Sequence, residues 1–127
     1  MTIENYDAQH APDPDWWLAL DEQERIDLAL DHHRRAGAQL PNATVHAVIH
    51  TVVETQIALG DELSVARTLD RLLEEGLDRH DALHAIGSVL AEHLHSAFIG
   101  IETEGDLAKA YVHDLDELSA ESWRRGD

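Results

Sequence analysis

Apolar residues recur along most of the chain at intervals of three and four, the spacing that gathers side chains on one side of an α-helix. The middle of the chain carries the clearest case, where Val45, Val48, Ile49, Val52, Val53 and Ile57 fall on one broad face. The β-branched content of that stretch suits a strand, but its i, i+3, i+4 recurrence and its length suit a helix. This helix opens at Pro41 and Asn42, with Asn42 as its cap, and ends at Gly60. Before it, Asp21 and Glu24 form a capping box for a helix through Ile26, Leu28 and Leu30 that stops near Gly37. After it, a third helix covers residues 63–75, with Val65, Leu69, Leu72 and Leu73 inward and Gly76 as its stop. Asp78 caps a fourth helix over 79–98, apolar at Leu83, Ile86, Leu90, Leu94 and Phe98 and terminated by Gly100. Residues 103–118 give the fifth, carrying Leu107, Tyr111, Leu115 and Leu118, and residues 119–123 add a last turn.

The pattern predicts an all-α fold, a single-domain bundle of about five helices over residues 15–127. Residues 1–14, polar and interrupted by Pro12 and Pro14, read as a flexible lead-in. Trp16, Trp17, Leu18 and Leu20 then make a short helical turn against the body, with Trp16, Trp17 and Trp123 as lids on the core. A chain of 127 residues can bury one continuous core, and with aromatics at only 5% that core is built from aliphatic side chains.

Charge narrows the partners. Twenty-six acidic residues against nine basic ones give a formal charge of −17, which disfavours nucleic acid and anionic membrane surfaces. A basic protein partner and a homo-oligomer remain open. The absence of cysteine excludes disulfides, thiolate zinc sites and iron–sulfur clusters. The first ten residues lack the pattern of a secretory signal, and no apolar run reaches the length of a membrane span, so a cytoplasmic location is expected.

The chemistry lies in the histidines, of which there are ten. His46, His50 and Glu54 stand at i, i+4 and i+8, each offset from the last by about 40° around the axis, in one stripe roughly 12 Å long. His80 and His84 form another i, i+4 pair on the fourth helix, with His95 further along the same side. Both stripes run at the margin of an apolar face, where a polar group needs a partner. Ala43, Ala47 and Ala58 on one helix, and Gly87 and Ala91 on the other, let the two approach closely and bring the stripes face to face.

Imidazoles and a carboxylate on adjacent turns can hold one cation. The candidate metal ligands are His46, His50, Glu54, His80 and His84, a donor set that suits Zn²⁺, Fe²⁺, Mn²⁺ or Ni²⁺ better than Mg²⁺ or Ca²⁺. A catalytic ion would add a water-bearing position, with Glu54 or Glu92 as base. His113, beside Asp114 and Asp116, is a further candidate ligand. His32, His33 and His93 are placed on the surface, and His10 in the lead-in. No Gly-rich phosphate loop, nucleophile elbow or HExxH motif occurs. The rival is a non-catalytic interaction or regulatory module, possible as a homodimer, in which the histidines hydrogen-bond between helices without metal.

Two resemblances bear on these residues. The blocks VHAVIHTVVETQ at 45–56 and RHDALHAIG at 79–87, with LAE at 90–92, resemble an uncharacterised bacterial family of small helical proteins; the similarity covers about the middle half of the chain. It implies that these residues belong together and supplies no activity. The pairs His50-x₃-Glu54 and His80-x₃-His84 are also similar, in type and order, to the HxxxE and HxxxH pairs with which hemerythrin-like bundles hold two irons. Here an extra helix separates the two pairs, His32 or His33 would have to supply the lone first histidine, and the closing HxxxxD motif has no counterpart. That resemblance therefore carries over His50, Glu54, His80 and His84 alone.

Overall fold

The computed structural model describes residues 6–35, 43–60, 64–98 and 104–125. Within them the chain is all-helical: α1 (Pro14–Ala19), α2 (Glu22–Arg35), α3 (Ala43–Ala58), α4 (Ser64–Glu74), α5 (Arg79–Phe98), α6 (Glu104–Glu117) and α7 (Ala120–Arg125). The five longer helices are those the periodicity predicts. The two six-residue ones are the tryptophan turn and the closing turn. No helix among the described residues is long and apolar enough to cross a membrane.

Local chemistry sets several of the ends. The Asp21–Glu24 capping box is reciprocal, with the Glu24 N–H donating to Asp21 Oδ1 at 2.8 Å and the Asp21 N–H to Glu24 Oε1 at 3.1 Å. Asp78 accepts from the Asp81 N–H at 2.8 Å and opens α5. After α4, Gly76 takes φ +104°, and the N–H groups of Leu77 and Gly76 bond back to the carbonyls of Leu72 and Leu73, a Schellman ending. The cap at Asn42 and the ends at Gly37, Leu63, Gly100 and Thr103 lie outside the described residues, as do the side chains of Phe98 and Leu107.

α5 is the axis of the bundle, packed on α3, α4 and α6, with α1 and α2 against the outer side of α3. Its buried Leu83, Ile86 and Leu90 meet Val53, Leu69, Leu72 and Leu115 in one core. At Gly87 a Cβ atom would lie 3.1 Å from Ile49 Cγ2, so the missing side chain lets α3 and α5 approach there.

The packing departs from the periodicity in instructive places. Trp17 is fully buried and donates its indole N–H to Thr55 Oγ1 at 3.1 Å, so it is core and not a lid. Tyr6 and Ala8, ahead of α1, are buried in the same core. Val45, Leu73 and Leu94, placed on the apolar faces, are exposed. His32 and His93, assigned to the surface, are both buried; His93 Nε2 lies 2.7 Å from Asp114 Oδ2 and joins α5 to α6.

α7 is held at its start. Ser119 and Ser122 cap each other, and Glu75 Oε1 accepts the Ala120 N–H at 2.8 Å while Oε2 pairs with Arg71 at 2.9 Å. The Ala120 bond, then the Arg71 guanidinium, hold the Glu75 carboxyl below its ordinary value of 4.5. A folded-state value lowered in this way contributes its full stabilisation above the ordinary value and loses it as pH falls through the lowered one. Acidification below pH 4.5 is therefore expected to loosen α7, seen as broadening of the Trp123 indole resonance in NMR spectra. Glu75→Gln should flatten that part of the profile. Identical acid profiles for the two proteins would remove Glu75 as the tether.

Candidate metal centre

Helical spacing puts His46, His50 and Glu54 on successive turns of α3 and His80 and His84 on successive turns of α5, and the contact between these helices turns the two stripes together. His46 Nε2 and His84 Nε2 are 3.1 Å apart. The ligand atoms of His46, His50 and His84 all lie within 4.8 Å of one another, so these three could hold a metal ion. His80 stands beside them, its ring centroid 4.2 Å from that of His84 and 5.6 Å from that of His50. His32 on α2 completes the group, 5.1 Å from His80 by the same measure.

Glu54 has a different role. Arg79 grips its carboxylate with both ends of the guanidinium, Nη1 to Oε2 at 2.7 Å and Nη2 to Oε1 at 2.8 Å. The pair is deeply buried, with the side chains 1% and 8% exposed. Burial works against the charged guanidinium, but the Glu54 hydrogen bonds and charge outweigh it and raise Arg79 above its ordinary value. Arg79 also donates to the Ala8 carbonyl at 3.1 Å, and the His80 N–H to Gln9 Oε1 at 3.3 Å, which fastens the segment before α1 over the site.

Tyr6 links this ion pair to the histidines. Its phenol donates to Glu54 Oε2 and lies 2.6 Å from His50 Nε2. Burial, reinforced by the Glu54 charge, holds the phenol far above its ordinary value, so it keeps its proton. A phenol has one proton to give. With Glu54 taking it, the Tyr6 oxygen accepts from His50, which places the His50 proton on Nε2 and its lone pair on Nδ1. The order Arg79, Glu54, Tyr6, His50 thus fixes both the orientation and the tautomer of one imidazole.

A cleft of about 350 Å³ opens beside the triad. The three histidines form one wall, and Ile49, Leu83, Gly87 and Trp123 supply much of the rest. Ser88 also lines it, and that hydroxyl donates to the His84 carbonyl at 3.0 Å.

Of the predicted ligands, then, His46, His50 and His84 converge, His80 packs against His50 and His84 with its ring tilted to theirs, and Glu54 faces Arg79 and Tyr6. Glu92 is exposed and lines a depression with Asp114 and Glu117 that contains none of the three histidines and meets their cleft at Ser88 and Trp123. His113 is exposed and pairs with Asp114 at 3.3 Å. Sequence reasoning missed Tyr6, Arg79 and His32. Arg79 left a trace, a lone cation directly before His80 and one turn from the buried Leu83. Tyr6 left none, being 44 residues from His50 and in no periodic segment.

Comparison of the chain with protein-family models, with curated proteins and with solved structures gives no match.

Removing one partner of a buried ion pair leaves the other charge without compensation, at a cost of about 3–5 kcal/mol. Glu54→Gln and Arg79→Met are each expected to lower unfolding stability by about 3 kcal/mol in urea titrations. The double variant Glu54→Gln/Arg79→Met should lose less than the two single losses combined. Additive losses would show that the two side chains act independently.

Proposed function

We propose that this protein binds a divalent transition metal through His46, His50 and His84, with a remaining coordination position turned to the cleft. The observation that carries the reading is the convergence of three imidazoles from two helices, their ligand atoms within 4.8 Å of one another. Two nitrogens bound tetrahedrally to one Zn²⁺ at about 2.0–2.1 Å are separated by about 3.3 Å. The 3.1 Å between His46 and His84 is close to that spacing. Ring rotation of about 1.5 Å closes the widest separation, 4.8 Å, to the tetrahedral one of about 3.3 Å.

The surroundings suit a ligand shell. A metal-bound histidine commonly donates its second ring N–H to a fixed acceptor, and Tyr6, backed by Glu54 and Arg79, is such an acceptor for His50. Because Glu54 is committed to Arg79, the donor set is three neutral imidazoles, which suits Zn²⁺, Ni²⁺ or Fe²⁺ better than the oxygen-seeking Mn²⁺. Three protein ligands with a position left for water or a small molecule is the pattern of binding or catalytic ions, whereas structural zinc is closed by four. His80 and His32 lie behind the triad as packing neighbours.

One observation favours a second reading. A separation of 3.1 Å is also an ordinary hydrogen-bond distance, so His46 and His84 can pair directly and join α3 to α5 without an ion.

Calorimetric titration of Zn²⁺ into untagged, chelator-treated protein distinguishes the two. The metal reading expects one ion per chain and a raised melting temperature on loading. Tyr6→Phe should weaken binding by about tenfold, the lower end of what loss of such a supporting hydrogen bond costs. His50→Ala/His84→Ala should abolish it. Absence of stoichiometric binding, or binding unchanged in the double variant, would overturn the metal reading; absence of binding with a lowered melting temperature in the double variant would leave the direct histidine pair as the function of the contact.

A further inference from the structure

We propose that the cleft beside the triad takes a small monocarboxylate with an apolar tail, its carboxylate completing the coordination of the ion; this rests on the metal reading above. Electrostatics selects the head. Three neutral imidazoles leave both positive charges of a divalent ion in place, and the Glu54 carboxylate, linked to His50 through Tyr6, is neutralised by Arg79. Apart from the three histidines, no acidic or basic side chain lines the cleft, so with these bound to the ion the ion is the one full charge there to attract an anion, and no carboxylate in the lining repels it. Ser88 gives its proton to the His84 carbonyl and has no second one for a ligand. The chain's formal charge of −17 works against polyanions such as phosphate esters, and a single negative charge meets the least of that repulsion.

The walls select the tail. Val45, Ile49, Leu83, Ala91 and Trp123 present a mainly apolar surface. Val45 is 54% exposed and Ala91 is exposed, so an apolar guest there removes from water surface that the fold leaves wet. A volume of about 350 Å³ fits a short chain or one ring and excludes a long fatty acid. The absence of a side chain at Gly87, where a Cβ would press on Ile49, keeps the floor of the cleft narrow and apolar.

The test uses full-length protein loaded with Co²⁺, whose visible bands report direct ligation, titrated with hexanoate, butanoate and 1-hexanol. Hexanoate is expected to shift the bands and to bind more tightly than butanoate by about fourfold per added methylene, the increment for a buried CH₂. 1-Hexanol, with the tail but no charge, should leave the bands in place. Ala91→Phe fills the cleft at an exposed helical position and removes none of the three ligands; it should keep one Co²⁺ per chain and weaken hexanoate by about tenfold. In a chain holding one Co²⁺, unshifted bands, equal binding of butanoate and hexanoate, or unaltered binding in Ala91→Phe would each overturn the carboxylate proposal and leave the metal reading standing. Failure to bind Co²⁺ at all would overturn both.

Discussion

The buried pair of Glu54 and Arg79 is the constraint around which the rest of the site is arranged. Two charges removed from water are tolerable only when each is fully engaged, and here every contact is of that kind. Arg79 meets both carboxylate oxygens and the Ala8 carbonyl, and Glu54 also receives the Tyr6 proton. Those bonds join α3, α5 and the segment ahead of α1 at a single point. Moving any one of the three would leave a charge or a phenol buried with an unmet demand, so the relative position of the histidine-bearing helices is held by electrostatics as well as by packing.

Packing does the complementary work on the other side of the same interface. Gly87 lets α5 come against Ile49 of α3, and Ala47 and Ala85 are fully buried nearby along those helices. Small residues bring the helix axes together at one level; the ion pair ties them one to two turns away. Between the two levels, the stripes have nowhere to point except at each other. The cleft follows from the same geometry, since α7 leans Trp123 against the opening without filling it.

Much of the architecture was legible in the amino-acid order because it depends on local rules. The Asp21–Glu24 box, the Asp78 cap and the Gly76 ending are short-range chemistry, and each occurs where the residues place it. Periodicity identified α2 to α6 and the adjacency of the His46–Glu54 and His80–His84 stripes. It failed where burial depends on a distant partner. Tyr6 has no periodic neighbours and is buried because Glu54 and His50 face it across the fold. His32 was assigned to the surface; in the fold Leu28 packs against the core, and the buried face of α2 also takes in Ala29 and His32. Glu54 was grouped with the histidines by spacing alone. Its proximity to Arg79 depends on how α3 and α5 cross, and a one-dimensional pattern carries no term for that.

The histidines of the triad are not equivalent. The Tyr6 relay commits His50 to one tautomer, with its lone pair on Nδ1, whatever else the site does. His46 and His84 face each other through Nε2, so as a hydrogen-bonded pair one carries the proton there and the other accepts it. Two ligands of one ion must both present lone pairs. For the donor of the pair, that change moves a proton from Nε2 to Nδ1 within one ring and requires no net ionisation. The contact can therefore serve as a helix-joining hydrogen bond in one state and as half of a coordination shell in another, with little displacement of either helix. A bundle that has already brought the two Nε2 atoms to 3.1 Å has met most of the conformational entropy cost of gathering ligands before any ion arrives. In this arrangement the rigid element is His50, the imidazole tied to the buried ion pair, and the two that adapt are His46 and His84, which face each other through Nε2.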